Sequence, residues 1–389
     1  MVTQQQLAGL RARLVAHLKA RGDVRTERVA AAFERVPRHL FVPDLTPEEV
    51  YTDRSIAIKL RDGAPISSSS QPAIMAEMLE MLALADGDHV LEIGAGSGYN
   101  AALLAELVGP SGYVQTIDLD EDLVAAARAH LDAAGYPHVR ALCADGALGD
   151  PLGAAFDAVI ATVGVERIPP AWIAQLRPGG RLVAPLTIRS MQKVVAFERT
   201  AVGLESRAIV DAAFMMLRGP SASQETRTIA LGDPAIVLRV LATHANAVDG
   251  DALARELRAP ARDAVPVRRL GLEDAWNGFS LWLALTDDAS CRLTASGPRV
   301  GDGTVPNLLP GGESVYGTSA TFGIACDQEL VVLARRGSYE VVFRSFGAPA
   351  GGLARLQNAL AAWDGAGRPG NARLRITIAP NGATLTGYQ

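Results

Sequence analysis

Apolar positions along this chain follow helical spacing at the start and alternate between two periods further on. Leu7, Leu10, Leu14 and Leu18 predict an amphipathic helix over residues 5–20. A second helix is predicted from Thr26 to Arg35, stopping before Pro37, because a proline pushes the preceding residue out of helical geometry. Val36–Pro43 reads as an extended, proline-punctuated segment. Ile74, Met78, Leu79 and Leu82 mark the apolar face of a helix over Ala73–Leu84. After that, short apolar runs alternate with helical stretches. Val90–Ile93, Gly112–Asp118, Val139–Cys143 and Phe156–Thr162 predict strands, and Tyr99–Leu107, Glu121–Ala134 and Trp172–Leu176 predict helices. Such alternation predicts a largely parallel sheet flanked by helices. Pro178–Pro185 reads as a turn into a fifth strand. Gln192–Arg199 and Arg207–Leu217 read as two more strands, an antiparallel edge.

Arg218–Gln224 has the texture of a linker. Beyond it, Ile236–Leu241, Phe279–Leu285 and Glu329–Ala334 are apolar. Glu340–Arg344 and Leu374–Ile378 look like strands, and Leu353–Trp363 like a helix. The predicted organisation is an N-terminal helical and substrate-side segment (1–85), a Rossmann-like core (86–218), a linker (219–226) and a small C-terminal α+β domain (227–389).

Composition narrows the classes. With 49% hydrophobic and 20% charged residues, 389 residues suffice for two ordinary globular domains. A net charge of −5 without a basic run argues against a nucleic-acid partner. Cys143, Cys291 and Cys326 are far apart and odd in number, which suits neither a disulfide framework nor a zinc site, and no metal is expected. No apolar run reaches spanning length and no secretory segment opens the chain, so the expectation is a cytoplasmic protein without a membrane partner.

The candidate chemistry centres on Val90-Leu-Glu-Ile-Gly-Ala-Gly-Ser-Gly98. A strand, a turn with glycines at 94, 96 and 98, and a helix make a nucleotide-type binding corner, in which a Cβ would block backbone approach to a ligand. The helix N-terminus adds free N–H groups. A dinucleotide fingerprint would want its third glycine at 99, where Tyr99 stands. The observed Gly-x-Gly-x-Gly, preceded by Glu92, resembles the first motif of class I S-adenosylmethionine (SAM) methyltransferases. A tight turn without a ligand is the alternative. Asp118, ending the next strand, can accept hydrogen bonds from ribose hydroxyls, or cap the helix that follows. Asp145-Gly146, after the third strand, can meet the adenine amino group. Four serines, Ser67 to Ser70, precede Gln71-Pro72 and a helix. They read either as a hydroxyl-lined wall beside the SAM methyl group or as a flexible cap.

Further residues resemble one family, the protein-L-isoaspartate (D-aspartate) O-methyltransferases. The likeness covers about 26–218 and rests on Phe41-Val-Pro43, Tyr51-x-Asp53, Ser70-Gln-Pro72, Leu91–Tyr99, Asp145-Gly146, Ile168-Pro169, Gly179-Gly180, Gln192 and Phe214–Arg218. The resemblance implies methyl transfer from SAM to an isoaspartyl or aspartyl carboxylate of a peptide or protein. The ester then closes to a succinimide (aspartimide), and S-adenosyl-L-homocysteine is the other product. It implies an active-site hydroxyl at Ser70. It implies cofactor contacts from Ser67, Ser68, Ser69, Ser70, Glu92, Gly94, Ala95, Gly96, Ser97, Gly98, Asp118, Leu119, Asp145, Gly146 and Gln192. Substrate contacts are expected from Tyr51, Asp53, Ser68, Ser69, Gln71, Val163 and Gly164. The chain departs from the family at Ser68-Ser69, where Thr-Ile is usual, at Val163-Gly164-Val165, and in its C-terminal extension. These departures look like the actinobacterial branch, some of whose members sit with ribosomal-peptide (lanthipeptide and graspetide) maturation and act on a modified precursor peptide. Two other readings stay open: a SAM methyltransferase with a small-molecule acceptor, and a non-catalytic SAM-binding partner protein.

Overall fold

The computed structural model describes residues 3–61, 64–189, 191–222, 224–309, 317–338 and 340–388. The chain forms two compact units. One comprises 1–186, 194–222 and 376–385, the other 187–193, 223–375 and 386–389.

The first unit begins with helices α1 (Gln4–Arg21), α2 (Glu27–Arg35) and α3 (Pro47–Val50). Helix α1 starts in a reciprocal cap between Thr3 and Gln6, ends at left-handed Gly22, and buries Leu7, Leu10, Leu14 and Leu18 as its spacing predicts. Strands β1 (Ile56–Arg61) and β2 (Ala64–Ser69) then form an antiparallel hairpin. Helix α4 (Pro72–Leu82) is followed by β3 (His89–Ile93), α5 (Tyr99–Val108), β4 (Tyr113–Asp118), α6 (Glu121–Ala133), β5 (Arg140–Cys143), β6 (Phe156–Ala161) and α7 (Pro170–Gln175). Strands β7 (Leu176–Ile188), β8 (Met191–Thr200) and β9 (Gly203–Asp211) follow. The second unit holds β10 (Thr226–Ala230), β11 (Ile236–Leu241), α8 (Gly250–Glu256), β12 (Arg262–Ala264), α9 (Leu272–Asp274), α10 (Ser280–Thr286), β13 (Ser290–Ser296), β14 (Thr318–Cys326), β15 (Glu329–Arg336), β16 (Glu340–Phe346) and α11 (Gly352–Gly365). The chain closes with β17 (Leu374–Ile378) and β18 (Thr384–Tyr388).

The nine-stranded sheet runs β18-β17-β9-β8-β7-β6-β3-β4-β5. Strands β7, β6, β3, β4 and β5 run parallel to one another. This is the class I methyltransferase architecture with an antiparallel side. Residues of α1, α2, α4 and α5 and of strands β3, β4, β6, β7 and β8 share one buried cluster, so the N-terminal helices belong to the same core as the sheet.

Three details differ from the pattern-based expectation. The Ser-rich stretch is a strand of a hairpin rather than a loose cap. The strand expected over Arg207–Leu217 ends at Asp211. Beyond it, Gly164 N donates to Met215 O and Leu217 N donates to Gly164 O, both at 2.7 Å, so this segment pairs with the 163–165 loop instead. The third is Leu374–Ile378, expected in the C-terminal domain. Its Thr377 and Ile378 pair antiparallel with Glu205 and Leu204 of the first unit. A two-fold alternation marks a strand but carries no record of its partner.

In the second unit, seven strands run β10-β11-β13-β14-β15-β16-β12, every pairing antiparallel. One face packs Leu238, Leu293 and Val332 against Leu253 and Leu257 around α8. The other carries Phe343 stacked on Phe279, which also meets Trp363 of α11.

Candidate active site

Strand β3 lies between parallel β4 and β6, and the chain leaves its C-terminal end in the turn Gly94–Gly98. Gly94, Gly96 and Gly98 have φ of +101°, +51° and +86°, which residues with a Cβ rarely adopt. Space is also closed. A Cβ on Gly94 would sit 2.5 Å from Thr162 Oγ1, and one on Gly98 would sit 3.2 Å from Ala127 O. The Gly94 and Ala95 amides donate to Ile117 O at 2.8 and 3.2 Å, fastening the turn to β4. Ser97 O accepts from His130 Nδ1 at 3.0 Å. Tyr99, where a dinucleotide site would place glycine, is buried edge-on to Phe33 and lies under the Arg38 guanidinium, 5.7 Å from its ring centre.

Asp118 Oδ2 accepts from Gly96 N at 3.0 Å, tying the end of β4 to the glycine turn. The next residues extend this edge. Asp120 takes Lys59 Nζ of β1 at 2.8 Å and both terminal nitrogens of Arg218 at 3.2 and 2.8 Å. Arg218 foremost, with Lys59, holds the Asp120 carboxyl down at about 2. Sequence reading took Asp120 only as a helix start. In the fold it joins the hairpin, the edge of β4 and the 214–218 segment. Leu119 O accepts a long contact from Cys143 Sγ at 3.5 Å.

The serine strand lies against this turn. A Cβ on Gly96 would lie 3.4 Å from Ser68 O and 3.8 Å from Ser67 Oγ. Ser67 and Ser69 are buried, and Ser68 and Ser70 are half-buried, the alternation a strand imposes. Ser69 Oγ is buried with no partner among the described residues. Ser70 is held by its backbone: its carbonyl accepts from Arg38 Nη2 at 3.0 Å. The fully buried Arg38 also donates to Val50 O, Thr52 O and Arg54 O at 2.9–3.2 Å. A buried guanidinium whose two terminal nitrogens bind four carbonyls fixes the loop opposite Ser70. Nothing in the run Val36–Pro43 announced that role, since all four acceptors come from distant backbone.

Glu92 lies beneath the turn, fully buried. Its Oε1 accepts from Asn100 Nδ2 at 2.7 Å, and the hydroxyl of Thr116, its partner on β4, also favours its charged form. Burial pushes its carboxyl up to about 7. Asp145 closes the 145–148 turn on Ala147 N at 3.0 Å and accepts from Ser221 N at 3.1 Å. Gly146 is required by space, because a Cβ there would meet Ile93 Cγ2 at 2.6 Å.

Three residues expected at the substrate also bond within the fold. Asp53 spends both oxygens inside the fold, accepting from Gln71 Nε2 at 3.0 Å and from Ala73 N at 2.9 Å, so it caps α4 from outside the helix and occupies the Gln71 amide. Tyr51 is buried, with its hydroxyl 2.8 Å from His39 Nδ1. Gly164 has both backbone groups in the pairing with 215–217. Val163 remains half-buried on the same loop. Gln192 falls in the 187–193 segment grouped with the second unit, where its amide donates to Thr187 Oγ1 at 3.2 Å. It therefore takes no part in the proposal below.

The turn is a cradle that a Cβ at Gly94 or Gly96 would fill. Ser69 Oγ is buried and unmet among the described residues, and such an atom is costly unless something else meets it. Asp118 stands at the β4 end where a ribose would lie. The residues fit SAM. Among the described residues no cluster suits a metal ion, and no helix is long and apolar enough to cross a membrane.

The fold and this edge define a class I methyltransferase, an enzyme built to use SAM. Comparison with known proteins refines that class. The family described as "Protein-L-isoaspartate(D-aspartate) O-methyltransferase (PCMT)" matches residues 10–220. Over 217 residues the chain is 40% identical to a protein-L-isoaspartate O-methyltransferase of Methanopyrus kandleri, covering 55% of this chain and 94% of that one. Over 205 residues it is 38% identical to the Ignicoccus hospitalis protein of the same name, covering 52% and 95%. A solved structure titled protein-L-isoaspartate O-methyltransferase superposes with a TM-score of 0.55 at 22% identity, covering 97% of this chain and 99% of that one. The chain belongs to the protein-L-isoaspartate(D-aspartate) O-methyltransferase family.

Proposed function

We propose that this protein methylates the carboxylate of an isoaspartyl or aspartyl residue in a peptide or protein, and that the ester then closes to a succinimide. The observation that carries this is the serine strand set against a left-handed glycine turn, with Ser69 Oγ buried and unmet among the described residues. When bound, SAM supplies an electrophilic methyl on a sulfonium centre. Ser67 to Ser69, Gly94 to Gly98, Asp118, Asp145 and Gly146 would hold it.

A carboxylate has a reference pKa of about 4, so it is already a nucleophile at neutral pH and needs no general base. The protein's task is alignment. Ser70, held by Arg38, orients the acceptor oxygen by hydrogen bonding. Arg38 and Asp53 keep the 50–54 loop and the start of α4 in place around it. After methylation the ester is a better leaving group than the free carboxylate. The neighbouring amide nitrogen attacks, methanol leaves and the imide ring forms.

For the acceptor, we infer a chosen aspartyl residue of a processed peptide. The support is the Ser68-Ser69 pair at the acceptor side, which replaces an apolar residue with a hydroxyl. Isoaspartyl repair is the second reading, favoured by the names of the relatives. Mass spectrometry with SAM and three acceptors separates them: an isoaspartyl peptide, its aspartyl twin and a conformationally constrained aspartyl peptide. Product on the constrained aspartyl peptide alone supports tailoring. Product on the isoaspartyl peptide alone overturns tailoring and leaves carboxyl methylation standing. No methyl ester or imide on any acceptor, with SAM bound, counts against the carboxylate as acceptor.

A further inference from the structure

The second unit carries a facing pair of arginines that the methyl-transfer reading does not use. Register places Thr228, Arg239, Arg292 and Phe322 in one row across β10, β11, β13 and β14. Arg239 and Arg292 are thus directly opposite on adjacent strands, with Cβ atoms about 5 Å apart in such a pair. Like charges in that position oppose each other unless something neutralises them. Neither guanidinium makes a hydrogen bond or ion pair among the described residues, and Arg292 Nε is buried and unmet. Burial, with Arg239 adding to it, pulls the Arg292 guanidinium down to about 10. Its carbon lies 5.8 Å from the Phe322 ring centre, and Trp276 stands 5.4 Å beyond. The aromatic pair backs one face of the guanidinium, whose Nε–H has no partner among the described residues.

We propose that Arg239 and Arg292 form a binding site for a planar or tetrahedral oxyanion, a carboxylate or a phosphate, held in the two guanidinium forks. Arginine forks match both groups by paired N–H donors. The site is independent of SAM and of the acceptor chosen above.

Calorimetric titration of the full chain at low ionic strength tests it, with inorganic phosphate in one arm and a penta-aspartate peptide in the other. Saturable binding in either arm is expected, and the responding arm names the source of the oxyanion. Arg239→Met and Arg292→Met are each expected to weaken it roughly tenfold or more, the scale of a hydrogen bond to a charged group. If Arg292→Met does not fold, the half-buried Arg239→Met decides the matter alone. Without added anion, Arg239→Met is expected to raise the melting temperature, because it removes the repulsion. No saturation in either arm, or undiminished binding in the variants, overturns the site.

Discussion

The glycine turn and the arginine row would meet a ligand in different ways, through amides at one and cations at the other. At the turn, ligand-facing groups sit within five consecutive residues after a parallel strand, and backbone conformation creates the space. In the second unit, Arg239 and Arg292 are 53 residues apart in the chain and meet only through antiparallel register. The first kind of site is written locally and is broken by adding a methyl group. The second is written by strand pairing and is broken by removing a charge.

The largest expected effect sharpens this contrast. Gly94→Val places side-chain atoms on Thr162 Oγ1 at a φ of +101°, and SAM affinity is expected to fall by about a hundredfold or more, with strain of order 1–3 kcal/mol in the fold itself. Equilibrium titration with SAM and thermal unfolding measure both parts, and unchanged affinity would remove the turn from the cofactor site. Asp118→Ala comes next. It deletes the carboxylate at the β4 end, and SAM binding is expected to weaken roughly tenfold to a hundredfold, as for a charge-assisted hydrogen bond. Ser70→Ala is expected to lower kcat by about tenfold to a hundredfold with the Kd for SAM nearly unchanged, the signature of lost alignment. A parallel loss of SAM affinity would make Ser70 a cofactor contact instead.

The smallest effect concerns pH. The Glu92 carboxyl, raised by burial to about 7 from 4.5, makes its favourable contribution below the unfolded value, and that contribution is lost as pH rises towards 7. In the ligand-free protein, Glu92→Gln is therefore expected to leave stability unchanged near pH 4 and raise it by about 2 kcal/mol or less at pH 8. Chemical denaturation at the two pH values measures this. A gain of equal size at both would separate the effect from titration.

Much of the candidate site was legible because its residues are placed by short-range geometry. The three glycines, Asp118 at a strand end and the serine run before a proline each carry a local physical reason. What escaped was long-range. Arg38 finds four carbonyls between residues 50 and 70, and Asp53 caps a helix 20 residues away. Tyr51, expected at the substrate, turns inward to His39. Asp120 reads as a helix start, yet ties Lys59 to Arg218 across 159 residues.

Hydrophobic period, glycine placement and acidic strand ends determined by themselves the α/β class, the binding corner and the SAM expectation. Those features depend on neighbours within a few residues, so no partner need be known. Tertiary structure alone decided that the serines form a strand, that Thr377 and Ile378 return to the first unit's sheet, and that Arg239 faces Arg292. Each of those depends on pairing between distant segments, and a strand's alternation names its faces without naming its partner.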